Sequence, residues 1–458
     1  MNYALMVEDL QMLNKSSHQT GKDIDSLLPF TTHTFKELRK NFYKLTGDIV
    51  RNICQVKWRD VQVKDEFEVN PLIKSLKQEM RFEFELETEI ERFLQDYLYG
   101  ASGEIIITHP YLFNYSESPD KKEYRKISKF TAEILVGDNE EVRNIFLNKK
   151  TDNILDELVL DKLNLSFNSE DNDYTNKLPV ISELYCDDLL YLSKHKDYFL
   201  NAFPMITRFY IFMYVCQLIL KFDRFYEADY EKLTAIYFAL DWEVGVGKRR
   251  EATNELEGYK RIKDKAKYLF VHMNTLAQLN RFEANKYEGK YRFLHYKEIL
   301  EQINELEIEK KTEYLASLQR WIQEYQTIFS TKVSEKDIPK TIEEAIKTLF
   351  KSNTEGIVEG AAKKFGDYIE DLGGNEFLKF RGKVGTTMNL TKEMLLMLAG
   401  VCIRDTRIPL NQLFEEFNKR GIKLDRISKK IVIELLDSLN FIDKKSDSGD
   451  AQYVKPIL

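Results

Sequence analysis

Apolar residues recur at helical spacing along most of this chain, and the pattern is most legible between Leu390 and Leu458. After Thr391, a side chain suited to capping, Leu395, Leu398, Val401 and Cys402 repeat every three or four positions. Pro409 stands where a second helix can begin, with Leu410, Leu413, Phe414 and Phe417 as its stripe and Gly421 as its stop. A third helix places Ile427, Ile431, Leu435 and Leu439 on one face with Val432 and Leu436 beside them. Arg426, Lys429 and Lys430 then fall on the opposite arc, and Asp425 or Ser428 can cap the helix. Two strand-like runs, 441–445 and 451–455, flank the turn-rich Ser446-Asp447-Ser448-Gly449-Asp450. Three helices followed by a hairpin are the order of a winged helix-turn-helix, so residues 389–458 are expected to form one.

Upstream the pattern predicts a mainly α protein: a multi-helical body with a small mixed N-terminal region. Residues 1–165 form the N-terminal, mostly helical domain, with a helical run over 73–99, a strand at Glu104-Ile105-Ile106-Ile107-Thr108 and a polar loop over 116–122. The Asn-, Asp- and Ser-rich stretch 164–177 marks an exposed connection. No proline lies between Pro204 and Pro339, which supports an α-helical middle domain over 178–352. Within it, over 296–329, Ile299, Leu300, Ile303, Leu306, Leu315, Leu318, Trp321, Ile322 and Tyr325 form a stripe that fits a coiled-coil arm, a partner-binding helix or a helix packed on its own domain. Packing is favoured, because the heptads are not sustained. Seven of the 19 glycines fall between Gly356 and Gly385, so 353–388 is read as a flexible hinge before the winged module.

With 458 residues the chain exceeds one core, and 29 Phe and 25 Tyr supply ample apolar surface for a folded protein. Cys54, Cys186, Cys216 and Cys402 are far apart, which suits reduced core thiols in the cytoplasm. Met1 to Asp9 has no basic segment of the kind a secretory signal needs. The most membrane-like stretch has twelve residues, Phe209 to Leu220, between Arg208 and Lys221, whereas a span takes about 20, so a core helix and no membrane partner are expected. Net charge is −7, which excludes a generally cationic nucleic-acid coat. From Glu376 to Leu458, however, 15 Lys and Arg meet 11 Asp and Glu, while the remainder holds 53 against 64. Positive charge is concentrated toward the C-terminal module.

Catalytic motifs fare poorly. Gly245-Val246-Gly247-Lys248 resembles a phosphate loop, but Trp242 stands where a Walker motif needs glycine and Arg249 where it needs Ser or Thr. The cluster Lys248, Arg249 and Arg250 is left as either a second anion contact or a solvated turn. The six histidines never fall within one helical turn of each other, and no Cys pair has zinc spacing. Neither a Gly-x-Ser-x-Gly elbow nor a Cys-His signature occurs. The chain is therefore expected to be no enzyme, with no cofactor and no metal. It is expected to contact double-stranded DNA through Arg426, Lys429, Lys430, Lys444 and Lys445, with Lys248, Arg249 and Arg250 as a second site. Two alternatives stand beside this reading. The winged helix docks only protein, or carboxylates such as Asp120, Glu133 or Glu157 converge on folding into a magnesium-dependent nuclease.

Two blocks carry a family resemblance: Ile236-Tyr237-Phe238-Ala239-Leu240-Asp241-Trp242-Glu243, leading through Lys248-Arg249-Arg250 to His272-Met273-Asn274-Thr275-Leu276, and the terminal 445–454. With the overall length, they resemble the G subunit of the DNA phosphorothioation-dependent restriction system, the DptG (also DndG) family. The resemblance implies an accessory subunit of a bacterial antiviral defence complex, acting with ATPase and helicase-like translocase subunits against DNA that lacks phosphorothioate modification. It implies no catalytic residue at any position here.

Overall fold

Helix dominates the computed structural model, which describes residues 3–10, 18, 23–31, 35–57, 73, 76, 87–99, 103–168, 172–246, 249, 255–335, 337–444 and 452–458. Two units divide the chain, one of Asn41–Asn172 and Ser182–Tyr210 with Leu458, the other of Met1–Lys40, Asp173–Ile181 and Ile211–Ile457. The boundary does not follow the linear domains read from the sequence. Residues 389–457 share a unit with 211–352.

The smaller unit holds α1 (Thr46–Cys54), α2 (Glu87–Leu98), α3 (Lys122–Leu135), α4 (Glu140–Leu147) and α5 (Ile154–Lys162), with β1 (Val56–Lys57) antiparallel to β2 (Ser166–Phe167). Asn139 and Asn153 cap α4 and α5 by accepting backbone N–H groups of the first turn. Ile73, Leu76, Leu94, Leu98, Tyr111, Leu112, Val159, Leu160 and Leu163 form one of its buried clusters. The strand expected over 104–108 is a single bridge between Ile105 and Tyr99. Among the described residues the β-branched run there has no partner strand, and the amide of Ile106 donates back to Leu98 O at 2.7 Å instead.

Both units draw on α6 (Pro179–Leu192) and α7 (Lys196–Asp223). At 28 residues α7 is much longer than its twelve-residue apolar centre, and it carries Pro204 inside. It is the one helix among the described residues long and apolar enough to cross a membrane, and it is mostly buried within the protein. Its polar groups are satisfied internally: Gln217 Nε2 donates to Thr234 O at 2.8 Å, and Lys221 Nζ to Lys232 O at 2.6 Å.

The larger unit continues with β3 (Ile236–Tyr237), β4 (Ala239–Leu240), α8 (Tyr259–Ala266), α9 (Leu269–Leu279), and the hairpin β5 (Lys286–Tyr287) and β6 (Lys290–Tyr291). The 296–329 stripe becomes two helices, α10 (Tyr296–Asn304) and α11 (Ile308–Ile328), with Tyr314, Leu318, Trp321, Ile322 and Tyr325 buried. No coiled-coil arm forms from it. After α12 (Ile342–Gly356), the 353–388 stretch read as a hinge contains α13 (Glu359–Gly366), α14 (Tyr368–Phe377), β7 (Leu378–Phe380) and the start of β8 (Thr386–Leu390). Gly356, Gly366 and Gly373 serve close packing: a β-carbon on Gly366 would stand 2.3 Å from the Ala266 carbonyl oxygen.

The C-terminal segment runs α15 (Lys392–Ile403), β9 (Ile408–Pro409), α16 (Leu410–Lys419), β10 (Ile422–Lys423), α17 (Arg426–Ser438), β11 (Ile442–Lys444) and β12 (Gln452–Val454). The final hairpin closes on the first strand, in the sheet order β11-β12-β9, with both pairings antiparallel. Parallel pairing joins this segment to the upstream chain, β10 with β3 and β8 with β4, while β7 lies antiparallel to β8.

Candidate nucleic-acid interface

Asp425 starts α17 by accepting the Ser428 amide at 2.7 Å, and Thr391 starts α15 by accepting that of Met394 at 3.2 Å. Gly421 makes the sharp turn after α16 with φ of 78°, where a β-carbon would press on Met213 Cε at 2.8 Å. The buried line of α17 is Ser428, Val432 and Leu436. This corrects the expected core face by one residue. Ile431 and Leu435 are half-buried, Leu439 is exposed and Ile427 is 48% exposed.

Arg426 and Lys430 are exposed on the first turns of α17. Lys430 Nζ approaches Glu434 Oε1 at 3.8 Å, a solvated pair. Lys429 is partly covered, with Nζ 5.0 Å from the centre of the Phe414 ring. Burial, helped by the neighbouring Lys423, holds its ammonium below the ordinary lysine value. Lys444 belongs to β11, whereas Lys445 and the tip through Ala451 lie outside the described residues.

Lys248 and Arg250 also lie outside the described residues. Arg249 is described, and it faces inward rather than toward solvent. Its Nη1 donates to both Asp425 oxygens at 2.7 and 2.8 Å, and its Nη2 pairs with Glu243. The Ser428 hydroxyl donates to Glu243 Oε2 at 3.1 Å, and that oxygen also accepts the Leu240 amide at 3.0 Å. The Tyr237 hydroxyl reaches Asp425 Oδ2 at 3.4 Å, and burial, reinforced by that carboxylate, raises its pKa. Arg249 cannot offer its charge to an outside anion while both carboxylates hold it. The network fastens the first turn of α17 to the loop after β4. Asp425 was legible as a cap, but Glu243 carried no sequence signal of its role.

A second surface adjoins this network. Arg381, between β7 and β8, donates to Leu240 O at 2.6 Å, Glu243 O at 2.9 Å and Asn389 Oδ1 at 2.7 Å. Lys379 Nζ donates to Asp241 Oδ1 at 2.5 Å, and this hydrogen bond holds the Asp241 carboxyl below the usual carboxylate range. Lys392 Nζ stands 5.5 Å from the centre of the Trp242 ring. This cationic hairpin was missed because its glycines read as a linker.

Of the carboxylates considered for a nuclease, Asp120 pairs with Arg125 at 3.3 Å, Glu133 with Lys129 at 3.8 Å, and Glu157 is exposed. Among the described residues no group of three or more His, Cys, Asp and Glu side chains is arranged to hold a metal ion. His272 is buried and bonded to the Tyr296 hydroxyl at 2.9 Å, while His295 caps α10. All four cysteines are free and buried. No family model matches the chain, and no curated protein matches it.

Proposed function

We propose that residues 389–458 are a winged helix-turn-helix that engages duplex DNA with the exposed arc of α17, in a non-catalytic subunit whose helical remainder scaffolds partners. The observation that carries this reading is the element order of the segment. Three helices, with β9 after the first and the β11–β12 hairpin after the last pairing back onto β9, support reading α17 as the recognition helix. Arg426 and Lys430 at its N-terminal end, together with the positive bias of the segment, suit phosphate contact. The family resemblance extends the reading to a phosphorothioation-dependent restriction complex with ATPase and translocase subunits.

Duplex affinity measured against salt tests it. Replacing Arg426 and Lys430 together with Ala should weaken binding similarly on unrelated sequences and reduce the slope of log K against log salt by about 0.9 for each phosphate that the variant no longer neutralises. Unchanged affinity and slope in a folded variant would remove α17 from the interface.

Protein docking is the second reading, favoured by Ile427, an apolar side chain half exposed between Arg426 and Lys430. It predicts no duplex binding even at low salt, and a partner complex weakened by Ile427→Glu.

A further inference from the structure

The hairpin between β7 and β8 ends in Phe380-Arg381-Gly382-Lys383-Val384-Gly385, and its apolar side chains are left in solvent. Phe380 is 74% exposed and Val384 43%, and Val244, on the loop whose carbonyl Arg381 holds, is 91% exposed. A solvated phenylalanine forgoes the stabilisation that burial gives a large apolar side chain. Nothing about this tip is slack. Arg381 binds two backbone carbonyls and the Asn389 side chain oxygen, Lys379 binds Asp241, and Gly382 and Gly385 adopt φ of 57° and 81° to close the turn. The fold thus holds an aromatic ring in water on a stiff mount.

Cations outnumber acids along this hairpin, with Asp241 paired to Lys379 and Glu376 and Glu393 standing just beyond its ends. From Phe377 through Lys392 the chain has Lys379, Arg381, Lys383 and Lys392 and no acidic residue. Lys383 and Lys392 are exposed. An apolar tip set among exposed cations matches an acid-rich polymer with flat apolar faces between its charges, which is the chemistry of stacked bases along a phosphate backbone. Resting on the DNA-binding reading of α17, the geometry points to the β7–β8 tip as a second DNA contact, in which Phe380 wedges into a base step of the duplex while Lys383 and Lys392 hold the flanking phosphates. The tip is braced through Glu243 to the loop that also binds Ser428 of α17, so the wedge and the exposed arc of α17 belong to one braced structure.

Duplexes carrying 2-aminopurine read out this contact, since the probe brightens when it loses its stacking neighbours. Wild-type protein should raise the signal on binding. Phe380→Ala should abolish the rise and weaken affinity about ten-fold, within the range typical of removing one base–aromatic stack, while leaving the salt slope set by Arg426 and Lys430 in place. Phe380→Trp should keep the rise, and unchanged circular dichroism in both variants checks the fold. Duplex binding that survives Phe380→Ala with its affinity and 2-aminopurine signal unaltered overturns the wedge alone. Loss of a protein complex in that variant, with duplex binding intact, also overturns it and makes the tip a protein contact. Wild-type protein that binds no duplex at low salt overturns the DNA-binding reading, and the wedge with it.

Discussion

Arg249 sits where two carboxylates and a hydroxyl converge, and its charge is neutralised inside the fold. In the sequence it belongs to a run of three cations that reads as a solvated turn or, less readily, as a second anion contact. What decides between them is Asp425, 176 positions away, which no local pattern connects to it. Substituting Arg249 with Met would leave Glu243 and Asp425 buried side by side without a counter-charge. Breaking a buried pair in this way costs about 3–5 kcal/mol, so the urea midpoint should fall markedly. Adding Glu243→Gln to Arg249→Met should recover part of that loss, because one uncompensated charge is removed. Equal stability of wild type and Arg249→Met would mean that the guanidinium holds nothing together.

Helix positions and caps in the C-terminal segment were largely legible: Thr391 caps where expected, Asp425 rather than Ser428 caps α17, and Gly421 takes the positive φ that its place after α16 suggested. The rotation of α17 was not. Counting apolar residues centred the inner face on Ile427, Ile431, Leu435 and Leu439, with Val432 and Leu436 beside them, and a serine looked like a cap rather than a core residue. Ser428 goes inside because Glu243 accepts its hydroxyl there, which satisfies the polar group and turns Val432 and Leu436 in with it. Substitution separates the two rotations. Leu436→Ala should cost about 2–5 kcal/mol, whereas Ile427→Ser should stay within about 0.5 kcal/mol of wild type by thermal or urea unfolding. The reverse ranking would restore the face expected from spacing. The same limit applied to 353–388, where Gly356, Gly366 and Gly373 sit at close approaches yet have the composition of a linker, and to 104–108, where a β-branched run without a partner strand among the described residues yields no sheet.

Mainly helical architecture followed from periodicity along the whole chain, but the partition into units did not, because it depends on pairings between distant segments. β3 joins β10, and β4 joins β8, both in parallel. The Ile236 amide donates to Gly421 O at 2.8 Å and the Phe238 amide to Lys423 O at 3.0 Å. Ending the chain before Gly421 should therefore speed hydrogen exchange at Ile236 and Phe238 by at least about ten-fold, as amides lose their partners. Retained protection at both amides would show that these ladders do not hold the larger unit together. Synthesis meets the same constraint in time. A ribosome delivers Ile236 and Leu240 long before it delivers Ile422 and Leu390, so the nascent polypeptide carries two apolar strand edges bare until those later segments are made. Stalled products cut short in that interval are marked by their own unpaired edges, which suits them to capture by chaperones and proteases before they reach any assembly.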